Sequence, residues 1–206
     1  MSQFFHVHPD NPQARLLAQA VEILQRGGLI VYPTDSSYAL GCRLGDKHAL
    51  ERIRALRRLD DQHNLTLVCR DLSEIATYAK IDNVAYRLLK NLTPGPYTFL
   101  LKATHEVPRR LQHPRRKTIG IRVPDHRIAL ALLEGVGEPL MSTTLRLPGD
   151  ELPQTDPEEI FERLGHALDL VIDGGPCGVD STTVVDMTVE PPQVVRAGLG
   201  DSAVFG

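Results

Sequence analysis

Short apolar runs alternate with amphipathic helical stretches along the whole chain, and this alternation restricts the fold more than any other feature of the sequence. The apolar run 29–32, for example, lies between a helical pattern that opens at Asn11-Pro12 and stops at Gly27-Gly28 and a second one over 46–57. No internal repeat and no low-complexity linker divides the 206 residues. The sequence therefore predicts a single-domain α/β (α+β) fold, in which helices flank one twisted, mixed β-sheet.

The hydrophobic periodicity also predicts the individual elements. A period of about 3.6 residues marks helices, and short apolar runs bounded by turn residues mark strands. Beyond the three segments named above, we predict helices at 71–79, 83–91, 126–134 and 157–168, and strands at 65–69, 97–103, 118–123, 139–143, 170–173, 182–187 and 193–196.

Charge is distributed unevenly along a chain whose formal net charge is only −3. Residues 1–148 carry 21 Lys and Arg against 14 Asp and Glu, whereas residues 149–206 carry 2 against 12. Within 102–127 there are eight cations and two acids. This pattern argues against a general affinity for nucleic acid but allows a local anion-binding site within an acidic whole.

Several absences restrict localisation and metal binding. The chain has no apolar run of about 18 residues and no basic and apolar leader, so we expect no membrane span and no secretory signal. Its 3 cysteines are far apart, which argues against a disulfide framework or a zinc ribbon and favours the reducing cytoplasm. The pair His6 and His8 lacks a third ligand, so we predict no protein-bound metal.

The polar run after the first strand is one candidate for chemistry. Pro33 ends the hydrogen bonding of that strand, and 34–38 then supply four hydroxyl groups and the Asp35 carboxylate. Polar groups beyond a strand end suit a ligand in an α/β sheet. A turn that caps the next element explains the same residues, so both interpretations stay open.

Arginines and small polar residues supply the other candidates. Arg57 ends a helical stretch, where its planar fork suits phosphate, although a solvated helix face explains it as well. Arg122 interrupts an apolar strand, where a charge is costly unless it is paired or binds a ligand. The hydroxyl run 141–144, the glycine-rich segment 173–183 and Arg196 complete the set.

Familiar catalytic patterns are missing from the sequence. There is no P-loop and no complete dinucleotide fingerprint, and spacing alone identifies no Ser–His–Asp triad. The catalytic residues therefore stay unknown, and whether the chain is an enzyme stays open.

Six segments occur in a specific order along the chain: Tyr32-Pro-Thr-Asp-Ser-Ser-Tyr-Ala-Leu-Gly41, Thr93-Pro-Gly-Pro-Tyr-Thr98, Thr118-Ile-Gly-Ile-Arg-Val-Pro124, Asp173-Gly-Gly, Asp180-Ser-Thr-Thr-Val-Val-Asp186 and Arg196-x-Gly198. Together they resemble the YrdC/YciO family, whose best-understood members are threonylcarbamoyl-AMP synthases. The resemblance is greatest to the YciO branch. It covers residues 12–200 as one YrdC-like domain, with 1–11 as an N-terminal extension and 201–206 as a C-terminal tail.

The resemblance implies a twisted mixed sheet with a concave, positively charged face. It also implies a nucleotidyltransferase-like reaction, in which ATP, L-threonine and bicarbonate give threonylcarbamoyl-AMP and pyrophosphate for the modification of tRNA. Mg²⁺ would accompany ATP, because it prefers substrate phosphates to an all-protein cage. RNA, either tRNA or double-stranded RNA, is a further implied partner.

The resemblance further implies which residues contact ligands. Thr34 matches the position that touches threonine, Arg122 the arginine that holds its carboxylate, and Arg196 an arginine on the nucleotide side. Ser142 and Ser181 match small polar residues around the two substrates. The full set of candidate binding residues is Thr34, Tyr38, Arg57, Arg122, Ser142, Thr144, Ser181 and Arg196.

Two segments depart from the synthase pattern. Synthases carry Lys-x-Arg followed by Pro where this chain has Arg57-Arg58-Leu59-Asp60, and Ser-x-Asn where it has Ser142-Thr-Thr144. We expect Leu59 and Thr144 at the nucleotide side of the pocket, and a weakened or altered synthase activity. Two alternatives stay open: an RNA- or ribosome-binding protein that uses the basic concave face without synthase chemistry, and an enzyme with a different amine acceptor.

Overall fold

A mixed sheet of ten strands runs through the computed structural model, which describes residues 2–59 and 65–206. The strands are β1 (Gln3–His6), β2 (Ile30–Tyr32), β3 (Ala39–Arg43), β4 (Thr66–Val68), β5 (Tyr97–Lys102), β6 (Thr118–Arg122), β7 (Leu140–Thr144), β8 (Leu170–Asp173), β9 (Thr183–Asp186) and β10 (Gln193–Arg196). Their order across the sheet is β1-β8-β2-β3-β7-β4-β6-β5-β9-β10. Sequence neighbours are therefore often separated in the sheet by strands from distant parts of the chain.

Six α-helices flank the sheet in the part of the chain that the structure describes. They are α1 (Ala14–Gln25), α2 (Lys47–Arg57), α3 (Leu72–Tyr78), α4 (Asn83–Leu92), α5 (Arg127–Val136) and α6 (Pro157–Leu164). Short 3-10 turns lie at Arg109–Leu111, Gly165–Ala167 and Ser202–Phe205. The predicted α/β fold on one mixed sheet is confirmed. Across the described residues, no helix combines the length and the apolar character needed to cross a membrane.

Capping explains where several helices begin and end. Asp46 caps α2 as its position predicts, because its side chain accepts a hydrogen bond from a backbone N–H of the first turn at 2.9 Å. The first helix, predicted to open at Asn11-Pro12, begins instead at Ala14, since the backbone N–H of Asn11 is held in a turn by His8 Nδ1 at 3.1 Å. The last helix ends at Leu164, before its predicted end, and continues as a 3-10 turn.

Two strands, β1 and β3, are not predicted by the hydrophobic pattern, and both terminal segments pack against the domain. β1 lies in the predicted N-terminal extension and pairs in parallel with β8 at the edge of the sheet. β3 pairs with both β2 and β7, but it contains Gly41 and is buried on both faces, so it shows no alternation. In the predicted C-terminal tail, the ring of Phe205 lies 6.2 Å from that of Tyr97.

Alternation along the other strands separates two buried clusters on opposite faces of the sheet. On β2, Val31 belongs to the first cluster, whereas Ile30 and Tyr32 belong to the second. Helices α2, α3, α4 and α6 pack into the first cluster, and α1 and α5 pack into the second. Strands β5, β6 and β9 contribute no residue to the second cluster. The face that α1 and α5 cover therefore continues over these strands, where no helix of residues 2–59 or 65–206 packs into the second cluster.

Leu132 on α5 tests this packing. Its side chain is fully buried in the second cluster, so Leu132→Ala is expected to lower the free energy of unfolding by about 2–5 kcal/mol through lost burial and the remaining cavity. Val84→Ala on α4 is the control, because Val84 is exposed and should change stability by less than about 0.5 kcal/mol. Urea unfolding measures both variants, and equal losses would contradict the packing.

Candidate functional site

A cavity of about 560 Å³ lies over the part of this sheet face that no described helix covers. Its lining comes from the central strands and from the connections that follow β2, β7, β8 and β10. Residues as far apart in sequence as Tyr32 and Gly198 contribute to it. Five of the six motif segments therefore meet at one concave site, whereas Asp173-Gly-Gly contributes no lining residue.

Small residues form much of the cavity floor, and the strand register explains how they meet. Four floor residues pair side by side across neighbouring strands: Ser142 on β7, Thr66 on β4, Gly120 on β6 and Leu100 on β5. The residue after Gly120, Ile121, belongs to the first apolar cluster on the opposite face. Three of the four floor residues are small, so space remains above the sheet.

Thr34 builds the turn after β2 and also lines the cavity. Its hydroxyl donates to the carbonyl of Ser37 at 2.7 Å and accepts from the backbone N–H groups of Ser36 and Ser37, each at 3.2 Å. The capping turn that the sequence left as an alternative is therefore present. It does not exclude a ligand, because all three residues line the cavity.

Arg122 is buried beside this turn and forms an ion pair with Asp35. One terminal nitrogen donates to Asp35 Oδ1, and the other donates to Ser36 Oγ at 3.2 Å. The side chains of Arg122 and Asp35 are only 9% and 11% exposed. Arg122 Nε and Asp35 Oδ2 nevertheless have no hydrogen-bond partner among the described residues. The arginine inside β6 is thus paired, as its burial requires, but its Nε has no partner among the described residues.

A chain of hydroxyl groups stabilises the floor near β7. Ser142 Oγ donates to the carbonyl of Leu40 at 2.8 Å. Since a hydroxyl has one proton, the tyrosine must be the donor in the 2.8 Å contact between Tyr32 and Ser142. Burial raises the pKa of Tyr32 to about 12, so the phenol keeps this proton at neutral pH.

Arg57, the last residue of α2, lines the cavity next to β7. Its guanidinium group donates to Thr143 Oγ1 at 3.0 Å and to the carbonyl of Thr144. Burial, and after it the positive charge of Arg146, lower the pKa of Arg57. Both hydrogen-bond acceptors are uncharged, so they orient the guanidinium without neutralising it.

Arg196, at the end of β10, is held in a similar way. Its Nε and one terminal nitrogen donate to the carbonyl of Thr182 at 3.3 and 3.0 Å. The hydroxyl of Thr182 lies 2.8 Å from that of Thr98 on β5, which connects this arginine to the floor. Burial, and after it the charge of Arg146, lower the pKa of Arg196.

Arg146 is a further candidate that the sequence analysis did not identify. It follows β7 by two residues, is exposed and lines the cavity. After burial, its positive charge is the second cause of the lowered pKa of both Arg57 and Arg196. The available signal was its position just beyond the hydroxyl run 141–144 at a strand end.

Seven of the eight candidate residues line the cavity: Thr34, Arg57, Arg122, Ser142, Thr144, Ser181 and Arg196. Tyr38 does not line it. Its fully buried side chain donates to the carbonyl of Gly175 at 2.6 Å and accepts from the N–H of Gly174 at 3.3 Å. Burial also raises the pKa of Tyr38. In the structure Tyr38 therefore holds the glycine-rich segment in place, and its ligand contact stays a prediction.

The position of Leu59 and the source of the positive charge in the cavity also differ from what the sequence suggests. Leu59 does not line the cavity, because its side chain packs against the first apolar cluster; Asp60 lies outside the described residues. Of the eight cations in the basic segment 102–127, only Arg122 lines the cavity. The positive charge of the cavity therefore comes from arginines of four separate segments, and not from one basic stretch.

The chain is similar to one known protein family and to several known proteins. The profile of the Sua5/YciO/YrdC family, described as telomere recombination, matches residues 22–198. YciO of Escherichia coli, an uncharacterised protein, is 62% identical over 205 residues, which cover 100% of both chains. A threonylcarbamoyl-AMP synthase of Chromobacterium violaceum is 36% identical over 148 residues, 71% of this chain and 76% of that one.

Solved structures are similar over the same region. The crystal structure of E. coli YciO matches with a TM-score of 0.95 at 61% identity and covers 100% of both chains. The crystal structure of Pyrococcus abyssi Sua5 complexed with L-threonine matches with a TM-score of 0.87 at 27% identity. That match covers 96% of this chain and 58% of the Sua5 chain. The family range contains every residue that lines the cavity.

The Arg122–Asp35 ion pair predicts a stability effect as well as a ligand effect. Arg122→Ala leaves a nearly buried carboxylate without its partner, so it is expected to lower the free energy of unfolding by about 3–5 kcal/mol. In the double variant with Asp35→Ala, the free energy of unfolding should be at least about 1 kcal/mol higher than in Arg122→Ala, because the unpaired carboxylate is then gone. Urea unfolding measures both variants, with Arg87→Ala on the exposed side of α4 as the control. If Arg122→Ala is as stable as Arg87→Ala, the ion pair has no structural role.

Proposed function

Because the chain belongs to the Sua5/YciO/YrdC family, we propose that its cavity joins a nucleotide to an amino-acid carbamate. L-Threonine and bicarbonate would form a carbamate with loss of water, and the carbamate and ATP would give threonylcarbamoyl-AMP and pyrophosphate. The product would supply the threonylcarbamoyl group for tRNA modification. The similarity to threonylcarbamoyl-AMP synthases supports this class of reaction.

One observation carries the proposal: Arg57 and Arg196 are fixed cations that face a cavity with a hydroxyl-rich floor. ATP and a threonyl carbamate are both anions, and fixed guanidinium groups offset the repulsion between them. In the proposed step, a carbamate oxygen attacks the α-phosphorus and pyrophosphate leaves. This step needs no proton transfer from a side chain, which agrees with a cavity whose described lining contains no histidine.

The amino acid would bind beside Arg122 and the Thr34 turn. Sua5 of P. abyssi, a relative of the same fold, has been crystallised with L-threonine. Arg122 Nε is buried and has no hydrogen-bond partner among the described residues, and Asp35 already occupies a terminal nitrogen of the same guanidinium. A ligand carboxylate would therefore share Arg122 with Asp35. This competition is one physical reason for an activity that is weaker than, or altered from, that of the synthases.

Thr144 gives a second reason for an altered activity. It lines the cavity where the synthase pattern has Asn, and a hydroxyl lacks the paired donor and acceptor of an amide. Its own carbonyl is taken by Arg57. The phosphate contacts on this side would therefore depend on arginines more than on an amide.

Mg²⁺ would arrive with ATP as part of the substrate. Among the described residues, no group of three or more His, Cys, Asp or Glu is placed to hold a metal ion. The cavity arginines would leave the ion to the phosphate oxygens, which Mg²⁺ prefers. When bound, the ion would neutralise charge on the leaving pyrophosphate.

Pyrophosphate release tests the proposal directly. With Mg²⁺ and ATP, the wild-type protein is expected to release pyrophosphate only when both L-threonine and bicarbonate are present. Arg196→Ala should lower kcat/KM for ATP about tenfold or more, since a hydrogen bond to a charged group contributes about 1.5–3 kcal/mol. Arg87→Ala, on an exposed part of α4, is the matched control.

The same assay separates the alternatives. Release that requires ATP and bicarbonate but not L-threonine would indicate a different amine acceptor. A wild-type protein that neither binds ATP nor releases pyrophosphate would contradict the proposed chemistry.

RNA binding is a second candidate function, and an exposed basic surface favours it. Lys102 Nζ donates to the carbonyl of Arg116 at 3.0 Å, so the end of β5 and the β5–β6 connection form one surface. The exposed cations of this surface are Lys102, Arg109, Arg110, Arg115, Arg116 and Lys117. They are accessible to phosphate groups and lie outside the cavity lining, so they would act independently of the synthase chemistry.

Salt dependence tests this second candidate. The affinity for tRNA or for double-stranded RNA should fall steeply as NaCl rises from about 50 to 200 mM, because bound counterions are released. The double variant Arg115→Glu and Arg116→Glu should bind about tenfold more weakly or worse. The control with the same change in charge, Arg87→Glu and Lys90→Glu on α4, should retain binding. Equal losses in both double variants would argue against a specific surface.

A further inference from the structure

Arg146 differs from the other arginines of the cavity because no group in the described protein binds its side chain. Arg57 is tied to two residues of β7, and Arg196 is tied to Thr182. Arg146 is exposed and lines the same cavity, with no hydrogen-bond acceptor and no acid paired to its guanidinium among the described residues. All five of its N–H donors are therefore available to a ligand.

The backbone that carries Arg146 is nevertheless held firmly. Its N–H donates to the carbonyl of Thr144 at 3.0 Å, and the carbonyl of Leu145 accepts from the N–H of Gln154 at 2.9 Å. The side-chain oxygen of Gln154 accepts from Arg163 on α6 at 2.9 Å. Arg146 thus presents free donors from a connection that is fastened to both β7 and α6.

Three like charges consequently surround one cavity. The charge of Arg146 contributes to the lowered pKa of both Arg57 and Arg196. Glu151 lies on the same connection and lines the cavity, but it forms no ion pair with Arg146 in the described structure. Without a ligand such a cluster repels itself, and a ligand with several adjacent negative charges relieves the repulsion.

We propose that Arg146 makes the cavity select polyphosphates, because it recognises the terminal phosphates of a nucleoside triphosphate and the pyrophosphate that leaves. The inference rests on the proposed function and assigns to Arg146 the preference for a nucleoside triphosphate over a monophosphate. Arg57 and Arg196 are already oriented by neutral oxygens, so they suffice for the smaller charge of a monophosphate. The third, free guanidinium adds binding only where further phosphates are present.

Calorimetric titration of ATP, AMP and inorganic pyrophosphate into the whole protein tests the proposal. The wild type should bind ATP and pyrophosphate at least about tenfold more tightly than AMP. Arg146→Ala should weaken the binding of ATP and pyrophosphate about tenfold or more and change that of AMP by less than about twofold. Arg146→Lys keeps the charge but loses the planar fork, so its affinity for ATP and pyrophosphate should lie between those of the wild type and Arg146→Ala. Arg87→Ala should leave all three affinities unchanged.

The outcomes separate this inference from the proposed function. If Arg146→Ala leaves the ratio of ATP to AMP affinity as it is in the wild type, Arg146 does not select polyphosphates, while the proposed function stands. If the wild type binds neither ATP nor pyrophosphate, both fail.

Thermal unfolding without ligand gives an independent readout. Removing one of three like charges should raise the Tm of Arg146→Ala above that of the wild type at low salt, and added NaCl should reduce this difference. A Tm that stays equal or falls would show that the cluster is not repulsive and would overturn the electrostatic basis of the selection.

Discussion

The site depends on one packing constraint: α1 and α5 cover only part of one face of a ten-stranded sheet. Every central strand buries one set of alternating side chains against the first apolar cluster, and this keeps the sheet intact. On β5, β6 and β9, no helix in the described part of the chain covers the other set. Small residues there, with Gly120 at the centre, turn an uncovered face into a cavity and not into an exposed apolar patch.

Electrostatics then distinguish two parts of the cavity. Arg122 is nearly buried and needs Asp35, because an unpaired charge at that depth would be costly. Arg57 and Arg196 are oriented by uncharged oxygens, and Arg146 has no partner among the described residues. The first part is therefore balanced in the absence of a ligand, whereas the second carries excess positive charge. A protein that keeps such an excess sacrifices some stability for the binding of anions.

Much of this site could be predicted from the sequence, because its polar residues lie within motifs at strand ends. Thr34, Ser142 and Ser181 were identified in that way, and all three line the cavity. Tyr38 belongs to the same motif, but its hydroxyl is used by the glycine-rich segment. Tyr38 lies in the turn between β2 and β3, where the backbone of the turn sets the direction of each side chain, so membership of a motif does not decide whether a residue faces the ligand or the core. Arg146 was missed because no motif contains it.

By itself, the sequence determined the alternation of helices and strands, and with it the α/β class, since hydrophobic periodicity is a local property. It also determined which segments carry polar and cationic groups. Only the tertiary structure decided which of these groups meet: that Arg122 pairs with Asp35, and that Arg57, Arg146 and Arg196 surround one cavity. The physical reason is the strand order β7-β4-β6-β5-β9-β10, which brings distant parts of the chain together through pairing that no local pattern encodes.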